Sequence, residues 1–180
     1  MDYGFVRVAA ITPYLRVADV EFNTEEILKC IDEAVEKEAR VAVFPELCIT
    51  GYTCGDLFLQ SAMLKEAGCA VERIAQYITD KDIVVIVGFP MINDSKLYNA
   101  AAVLYDGAVL GIVPKTNIPN YSEFYEERHF TGGFRKIKDI EFKGHTVPFG
   151  TNIIFDCKNV ENMKIAVEIC EDLWVPIPPS

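Results

Sequence analysis

Residues 83–113 read IVVIVGFPMINDSKLYNAAAVLYDGAVLGIV, and this stretch decides the fold class. Residues 83–87 are a continuous apolar run, which is typical of a strand covered on both faces. Residues 99–105 and 108–113 are two further apolar runs on either side of Asp106-Gly107, a strong signal for a two-residue hairpin turn. The stretch therefore predicts a buried strand followed by a hairpin, with a turn expected at residues 88–90.

The residues before this stretch alternate between strand and helix patterns. Residues 5–11 and 41–44 are short apolar runs that predict strands. Residues 23–26 (Asn-Thr-Glu-Glu) predict a helix start, because a capping side chain is followed by acids in the first turn. Residues 59–78 have the apolar spacing of a second helix. Strands that alternate with helices and then form a hairpin predict a mixed α/β sheet with helices packed on it.

The residues after the stretch are less regular. Residues 116–149 predict a long polar and aromatic loop, and residues 152–155 and 164–169 predict two more strands. The chain then ends in a proline-rich segment without a helix to cover the last sheet edge. We therefore expect a chain that is cut short within a larger fold.

The composition excludes several classes of function. The net charge of −10 argues against nucleic acid and anionic lipid surfaces, both of which attract Lys and Arg clusters. No apolar run approaches the roughly 18 residues of a membrane span, and the N-terminus lacks the pattern of a secretory signal. Six cysteines without a CxxC pair, and only two histidines, predict no metal site. These features predict a cytoplasmic protein.

Three reactive side chains follow the ends of apolar strands. Glu46 follows residues 41–44, Lys115 follows residues 108–113, and Cys170 follows residues 164–169. Functional groups of α/β sheets gather outside the carboxyl ends of strands, so these three are expected to meet at one edge.

The chemistry of the three residues fits cleavage of an amide. Lys115 would favour the thiolate of Cys170, which is the nucleophilic form, and would then stabilise an oxyanion. Glu46 would act as general base toward the thiol and as acid toward the leaving ammonia. The same Glu46 would activate the water that hydrolyses the resulting thioester.

The sequence around these residues resembles the nitrilase superfamily of carbon–nitrogen hydrolases. Its glutamate, lysine and cysteine motifs are matched in order by Val43-Phe44-Pro45-Glu46-Leu47, Val113-Pro114-Lys115 and Ile169-Cys170-Glu171-Asp172. The resemblance implies a four-layer αββα sandwich, here truncated after the strand that carries the catalytic cysteine.

A narrower resemblance is to the glutaminase domain of glutamine-dependent NAD synthetases. It rests on residues 50–58, residues 115–128 and Cys170-Glu-Asp-Leu-Trp174. That family cleaves glutamine to glutamate and ammonia, which a second domain uses to amidate adenylated deamido-NAD. The resemblance implies that residues 1–180 are the N-terminal part of such a domain, and that the remaining nitrilase elements and the synthetase domain are absent.

The same resemblance implies partners and further site residues. Glutamine, the synthetase domain of the same parent chain and further copies in a homo-oligomer would be the partners. No cofactor is expected in this domain, and ATP and Mg would bind only the synthetase domain. Glu126 would orient Lys115, although its neighbour Glu127 leaves this assignment open. Tyr121 and Phe124 would line the glutamine pocket, and Glu171 would face the substrate ammonium.

Two other functions stay open at this point. The first is a stand-alone nitrilase-type amidase acting on another small amide or carbamoyl compound. The second is a non-catalytic scaffold, against which the intact set of Glu46, Lys115 and Cys170 argues. A Cys–His protease is disfavoured, because His129 lies in a long loop and nothing around Cys170 resembles those enzymes.

Overall fold

The computed structural model describes residues 4–179. Its helices and strands follow one another in the order β1 (Val8–Ala10), α1 (Val20–Glu36), β2 (Val41–Val43), α2 (Ser61–Tyr77), β3 (Val84–Asn93), β4 (Lys96–Tyr105), β5 (Ala108–Pro114), β6 (Lys138–Phe142), β7 (His145–Phe149), β8 (Phe155–Asp156) and β9 (Lys164–Ile165). Short 3₁₀ helices lie at Gly55–Leu59, Glu126–Arg128 and Cys170–Leu173.

Seven of the strands form one mixed sheet in the order β1-β2-β3-β4-β5-β7-β6. The strands β1, β2 and β3 are parallel to one another, and β4 is antiparallel to both β3 and β5. Because the direction reverses twice between β3 and β5, the strands β2 and β5 run the same way. Their carboxyl ends therefore lie at the same edge of the sheet.

One face of the sheet is covered by the two α-helices. Side chains such as Ile27 and Ile31 of α1 and Ile74 of α2 are fully buried there, together with Val85 and Phe89 of β3. Complete burial of a large apolar side chain contributes about 1.5–3 kcal/mol, so this layer is the main source of hydrophobic stabilisation.

The other face of the sheet carries a smaller apolar cluster. Strands β8 and β9 pair as a separate antiparallel ribbon. Ile169, just before the cysteine motif, is buried with Val41, Ile86 and Val103 of the main sheet. This packing fixes the segment that leads to Cys170 against the face opposite the helices, and it gives the layered α/β arrangement expected from the sequence.

The N-cap of helix α1 lies four residues before the predicted one. Asp19 is the N-cap, and its side chain accepts a hydrogen bond from the N–H of Phe22 at 3.1 Å. Asn23 is buried instead, where its side chain bonds the backbone of Arg16 and Ile49. The prediction was wrong because Asn23 makes long-range contacts that its sequence neighbours do not reveal.

Other boundaries also differ from the predictions. Strand β3 runs through residues 88–90, where a turn was expected, because its hairpin turn lies at Asp94 and Ser95. Residues 116–149 are not wholly loop, since β6 and β7 form a hairpin there. Strands were also predicted over residues 152–155 and 164–169, but only Phe155–Asp156 (β8) and Lys164–Ile165 (β9) pair. Within residues 4–179 there is no helix with the length and apolarity of a membrane span.

Candidate active site

Glu46 lies in the turn that follows β2, and this turn packs tightly on β3. A Cβ atom at Gly88 would lie 2.4 Å from the backbone N of Leu47 and 2.7 Å from the carbonyl O of Pro45. Leu47 has a φ of 51°, so the backbone turns sharply immediately after the glutamate. The absence of a side chain at Gly88 thus allows the Glu46 turn to rest directly on the sheet.

Lys115 follows β5 and is fully buried. Its Nζ lies 2.6 Å from Oε1 of Glu46, and 2.8 and 2.9 Å from the two carboxylate oxygens of Glu126. Burial lowers the pKa of Lys115, but the charge of Glu46 and the hydrogen bonds to Glu126 and Glu46 outweigh it and raise the pKa overall. The lysine is therefore a buried cation held between two carboxylates.

Glu126 occupies the first position of the short 3₁₀ helix that follows the loop. Its side chain is 6% exposed, whereas Glu127 is exposed. The hydroxyl of Tyr52 donates to Oε1 of Glu126 at 2.7 Å. Of the two adjacent glutamates, the structure therefore brings Glu126 to Lys115.

Cys170 stands at the turn between the buried Ile169 and the 3₁₀ helix Cys170–Leu173. Its φ is 48°, in the left-handed region that costs an L-residue roughly 1–2 kcal/mol. Non-glycine residues in this region are concentrated at functional sites. A cavity of about 100 Å³ is bordered by both Cys170 and Glu46, so the thiol and the carboxylate share one small space.

The electrostatics around the thiol differ from the expectation. Burial raises the pKa of Cys170, the charge of Glu46 raises it further, and Lys115 only opposes this in part. Lys115 does lower the pKa of Cys170, as expected, but burial and the charges of Glu46 and Glu126 outweigh its effect. These causes favour the neutral thiol over the thiolate, and Glu46 borders the same cavity as the thiol.

Neither histidine belongs to this cluster, and a metal ion has no evident ligands. Nε2 of His129 lies 3.1 Å from Oδ1 of Asp56, and its ring packs edge-on against Phe58. In the part of the chain from residue 4 to 179, no group of three or more His, Cys, Asp and Glu side chains could hold a metal ion.

A family model described as carbon-nitrogen hydrolase matches residues 6–177. The chain belongs to the carbon-nitrogen hydrolase family. The match confirms the family and the fold that the three sequence motifs predicted.

Curated relatives of this carbon-nitrogen hydrolase include two named glutamine-dependent NAD(+) synthetase. The one from Mycobacterium tuberculosis is 38% identical over 179 residues, which are 99% of this chain and 26% of that protein. The one from Aquifex aeolicus is 42% identical over 160 residues, which are 89% of this chain and 24% of that protein. The chain thus spans about a quarter of the length of these relatives.

Two solved structures are also similar to this chain. A glutamine-dependent NAD(+) synthetase from Cytophaga hutchinsonii superposes with a TM-score of 0.85 at 32% identity, covering 92% of this chain and 28% of that one. An amidase from Nesterenkonia sp. superposes with a TM-score of 0.64 at 20% identity, covering 79% of this chain and 54% of that one. The second likeness shows a shared fold alone.

The hydrolase also contains a site residue that the sequence patterns did not single out. Asp172 is buried and accepts hydrogen bonds from the backbone N–H of Thr116 and from both nitrogens of Asn117. It therefore connects the turn of Cys170 to the segment that follows Lys115. Its place inside the quoted cysteine motif was the available signal.

Asn99 is a second residue that the sequence patterns missed. It is fully buried in β4, and its Nδ2 donates to Oε1 of Glu46 at 2.6 Å. An amide in the middle of the otherwise apolar run of residues 97–104 was the signal that could have found it.

The residues expected to contact substrate lie on the open side of the cluster. The hydroxyl of Tyr121 donates to Oε2 of Glu171 at 2.9 Å, directly beside Cys170. This hydrogen bond is the main cause that raises the pKa of Tyr121. Phe124 packs edge-to-face on Tyr121 with ring centroids 5.8 Å apart, so these three side chains form one group, in which Tyr121 is exposed and Phe124 and Glu171 are half-buried.

Proposed function

We propose that this carbon-nitrogen hydrolase cleaves the side-chain amide of glutamine to glutamate and ammonia, through a thioester on Cys170. One observation carries the proposal: the buried cation of Lys115 lies between Glu46 and Glu126, and Cys170 shares a cavity with Glu46. Relatives whose printed name is glutamine-dependent NAD(+) synthetase support glutamine as the substrate.

The first half-reaction acylates the cysteine. The sulfur of Cys170 forms a bond to the amide carbon while its proton passes to Glu46, which general-base catalysis requires of a thiol that is protonated at rest. The carbonyl oxygen becomes an oxyanion, which Lys115 and a backbone N–H after Cys170 stabilise. Glu46 then returns the proton to the nitrogen, the C–N bond breaks, and ammonia leaves.

The second half-reaction releases glutamate. A water molecule takes the place of ammonia, gives a proton to Glu46 and bonds to the thioester carbon. The C–S bond then breaks, and the sulfur of Cys170 takes the proton back from Glu46. These steps need only groups of this chain and water, so we propose that the site works without a cofactor.

The group formed by Tyr121, Phe124 and Glu171 provides a means of recognising glutamine. The carboxylate of Glu171 complements the α-ammonium of the substrate, and the hydroxyl of Tyr121 holds that carboxylate in place. The ring of Phe124 offers apolar contact to the methylene groups. We therefore assign Tyr121, Phe124 and Glu171 to substrate binding.

The wider role follows from the relatives. We propose that the ammonia serves the amidation of deamido-NAD to NAD by a synthetase domain of the same parent chain. ATP and Mg would act in that domain, and the protein would work in the cytoplasm as a homo-oligomer.

Ammonia release from a set of amides tests the proposal. The full-length protein should release ammonia faster from glutamine than from asparagine, a simple aliphatic amide or a carbamoyl compound. Cys170→Ala should abolish the release, whereas Cys69→Ala, at another exposed cysteine, should leave it unchanged. Faster cleavage of another amide would point to a stand-alone amidase, and no cleavage of any amide would point to a scaffold.

A further inference from the structure

We propose that Asn99 is a positioning residue that holds the carboxylate of Glu46 in the orientation needed for proton transfer with Cys170. The assignment of Glu46 as the base rests on the function proposed above. The side chain of Asn99 reaches Glu46, and its backbone carbonyl accepts the N–H of Lys115 at 2.8 Å. A single residue of β4 is therefore bonded to both ends of the ion pair.

The strand pattern explains why an amide at this position faces the site. Successive side chains of a strand point to opposite faces, so Asn99 shares a face with Ala101 and Val103. Those two residues belong to the apolar cluster around Ile169, the residue before Cys170. The residues between them, Ala100 and Ala102, belong to the helix-covered core. Asn99 thus stands where the cysteine segment crosses the sheet.

The hydrogen bonding of Asn99 is incomplete, which argues against a purely structural role. Its Oδ1 is buried and has no hydrogen-bond partner within residues 4–179. Rotating the amide would place this oxygen against the carboxylate of Glu46, so the charge on Glu46 fixes the orientation. A buried polar atom without a partner destabilises the fold, and an apolar residue would avoid that loss. The bond to Glu46 is the contact that accounts for an amide here.

The two donors that reach Glu46 converge on the same oxygen atom. Asn99 and Lys115 both lie 2.6 Å from Oε1. Their bonds go to Oε1 and not to Oε2, and Glu46 borders the cavity of Cys170. Besides Lys115 and the thiol of Cys170, the titratable groups near Glu46 are Glu126, on the far side of the lysine, and Tyr52, whose hydroxyl donates to Glu126. Under the proposal, Oε2 is therefore the oxygen that accepts the proton.

Two substitutions separate positioning from simple packing. Asn99→Ala should lower kcat for glutamine by about 10- to 100-fold, the range expected for a lost hydrogen bond to a charged group. KM should change by less than about twofold, because Asn99 contacts the base rather than the substrate. The melting temperature should fall only slightly or should rise, because the variant also loses the buried Oδ1 that has no partner. The proposal would be overturned if kcat did not change. It would also be overturned if the loss in kcat came with a loss of unfolding free energy of the same size in free-energy terms.

Asn99→Asp keeps the volume and covers the case in which the alanine variant does not fold. A second carboxylate beside Glu46 disfavours its ionised form, so the acidic limb of the kcat profile should move to higher pH. Asn93→Asp makes the same change at the far end of the β3–β4 hairpin and should leave the limb in place. An unmoved limb in Asn99→Asp would count against the proposal.

A readout without substrate keeps this inference separate from the proposed function. In Asn99→Ala, the midpoint pH for alkylation of Cys170 by iodoacetamide should fall, because Glu46 is no longer held against the thiol. If wild-type protein releases no ammonia from any amide, the proposed function fails, while this midpoint still decides the role of Asn99. A midpoint equal to that of wild type would contradict the positioning role.

Discussion

Asp172 accepts hydrogen bonds from both nitrogens of Asn117, at 2.7 Å from the backbone N and 2.8 Å from Nδ2. Asp172 lies two residues after the proposed nucleophile, and Asn117 lies two residues after the buried lysine. The hydrogen bonds between Asp172 and Asn117 therefore help to set the distance between Cys170 and Lys115, although neither residue takes part in the proposed reaction. The carboxylate of Asp172 is 1% exposed, so water cannot easily replace its partners.

Asp172→Ala should destabilise the protein and remove its activity. The backbone N–H groups of Thr116 and Asn117 would lose a charged acceptor in a buried place, which costs about 2–3 kcal/mol of unfolding free energy. Urea unfolding measures the loss. Asp156→Ala is the matched control, because Asp156 is exposed and should change stability by less than about 0.5 kcal/mol. Similar losses in both variants would refute the special role of Asp172.

Lys115→Met should abolish hydrolysis and lower the unfolding free energy by about 3–5 kcal/mol, the usual result of removing one partner of a buried ion pair. Glu46 and Glu126 would then face each other without a cation. Their repulsion is largest when both carboxylates are ionised, so the stability of the variant should be best at low pH and decline as pH rises. Adding Glu126→Gln should recover part of the stability. A variant as stable as wild type at pH 8 would contradict the buried charge cluster.

Glu46→Gln should make Cys170 more reactive while stopping glutamine hydrolysis. Burial and the charge of Glu46 raise the pKa of Cys170, so removing that charge should lower it and increase the thiolate fraction at pH 8. Iodoacetamide labelling followed by peptide mapping measures the rate. Cys69 serves as the internal control, because it is exposed and lies in α2, and its labelling should not change. Slower labelling of Cys170 would show that Glu46 does not hold the thiol protonated.

The raised pKa of Cys170 also has a consequence for stability. The unfolded chain loses its thiol proton at lower pH than the folded chain does. The thiol therefore makes its full contribution to the unfolding free energy below the pKa of the unfolded chain. This contribution is lost as the pH rises through the pKa of the folded chain. Wild type should accordingly lose more unfolding free energy between pH 8 and 10 than Cys170→Ser does, as denaturant titrations at each pH would measure.

Gly88→Ala and Gly68→Ala should have opposite effects on stability. The added Cβ at Gly88 would meet backbone atoms of the Glu46 turn at 2.4 and 2.7 Å, which must shift and cost about 1–3 kcal/mol. At Gly68, in α2, the nearest atom would be 3.9 Å away, so alanine should stabilise the helix by about 0.5–1 kcal/mol. Thermal melts test both. A neutral Gly88→Ala with full activity would show that the close packing does not position Glu46.

Much of the fold and the core of the site could be predicted from the sequence. Glu46 and Lys115 were identified because each follows an apolar strand, and the Asp106-Gly107 signal correctly predicted the β4–β5 hairpin. That β2 and β5 run the same way also depends on strand order and on the β3–β4 turn at residues 94–95, which the sequence patterns did not reveal. The choice of Glu126 came from the resemblance to a family rather than from its own pattern.

The remaining features depend on contacts between distant parts of the chain. The bond of Asn99 to Glu46, the bond of Asp172 to Asn117 and the contact of Gly88 with Leu47 leave no periodic trace in the sequence. The raised pKa of Cys170 was missed because it depends on the burial of the thiol and on the carboxylates around it. The hairpin of β6 and β7 was missed because its strands are short and carry many polar residues.

The most direct test of the account is covalent labelling of the full-length protein with a glutamine-shaped diazoketone. The reagent places an electrophilic carbon at the position of the amide, so it reports both the nucleophile and the recognition of glutamine. The account predicts one adduct per chain, on Cys170, with labelling slowed by free glutamine and absent from Cys170→Ala. Labelling of another residue, or glutamine hydrolysis that persists in Cys170→Ala, would contradict it.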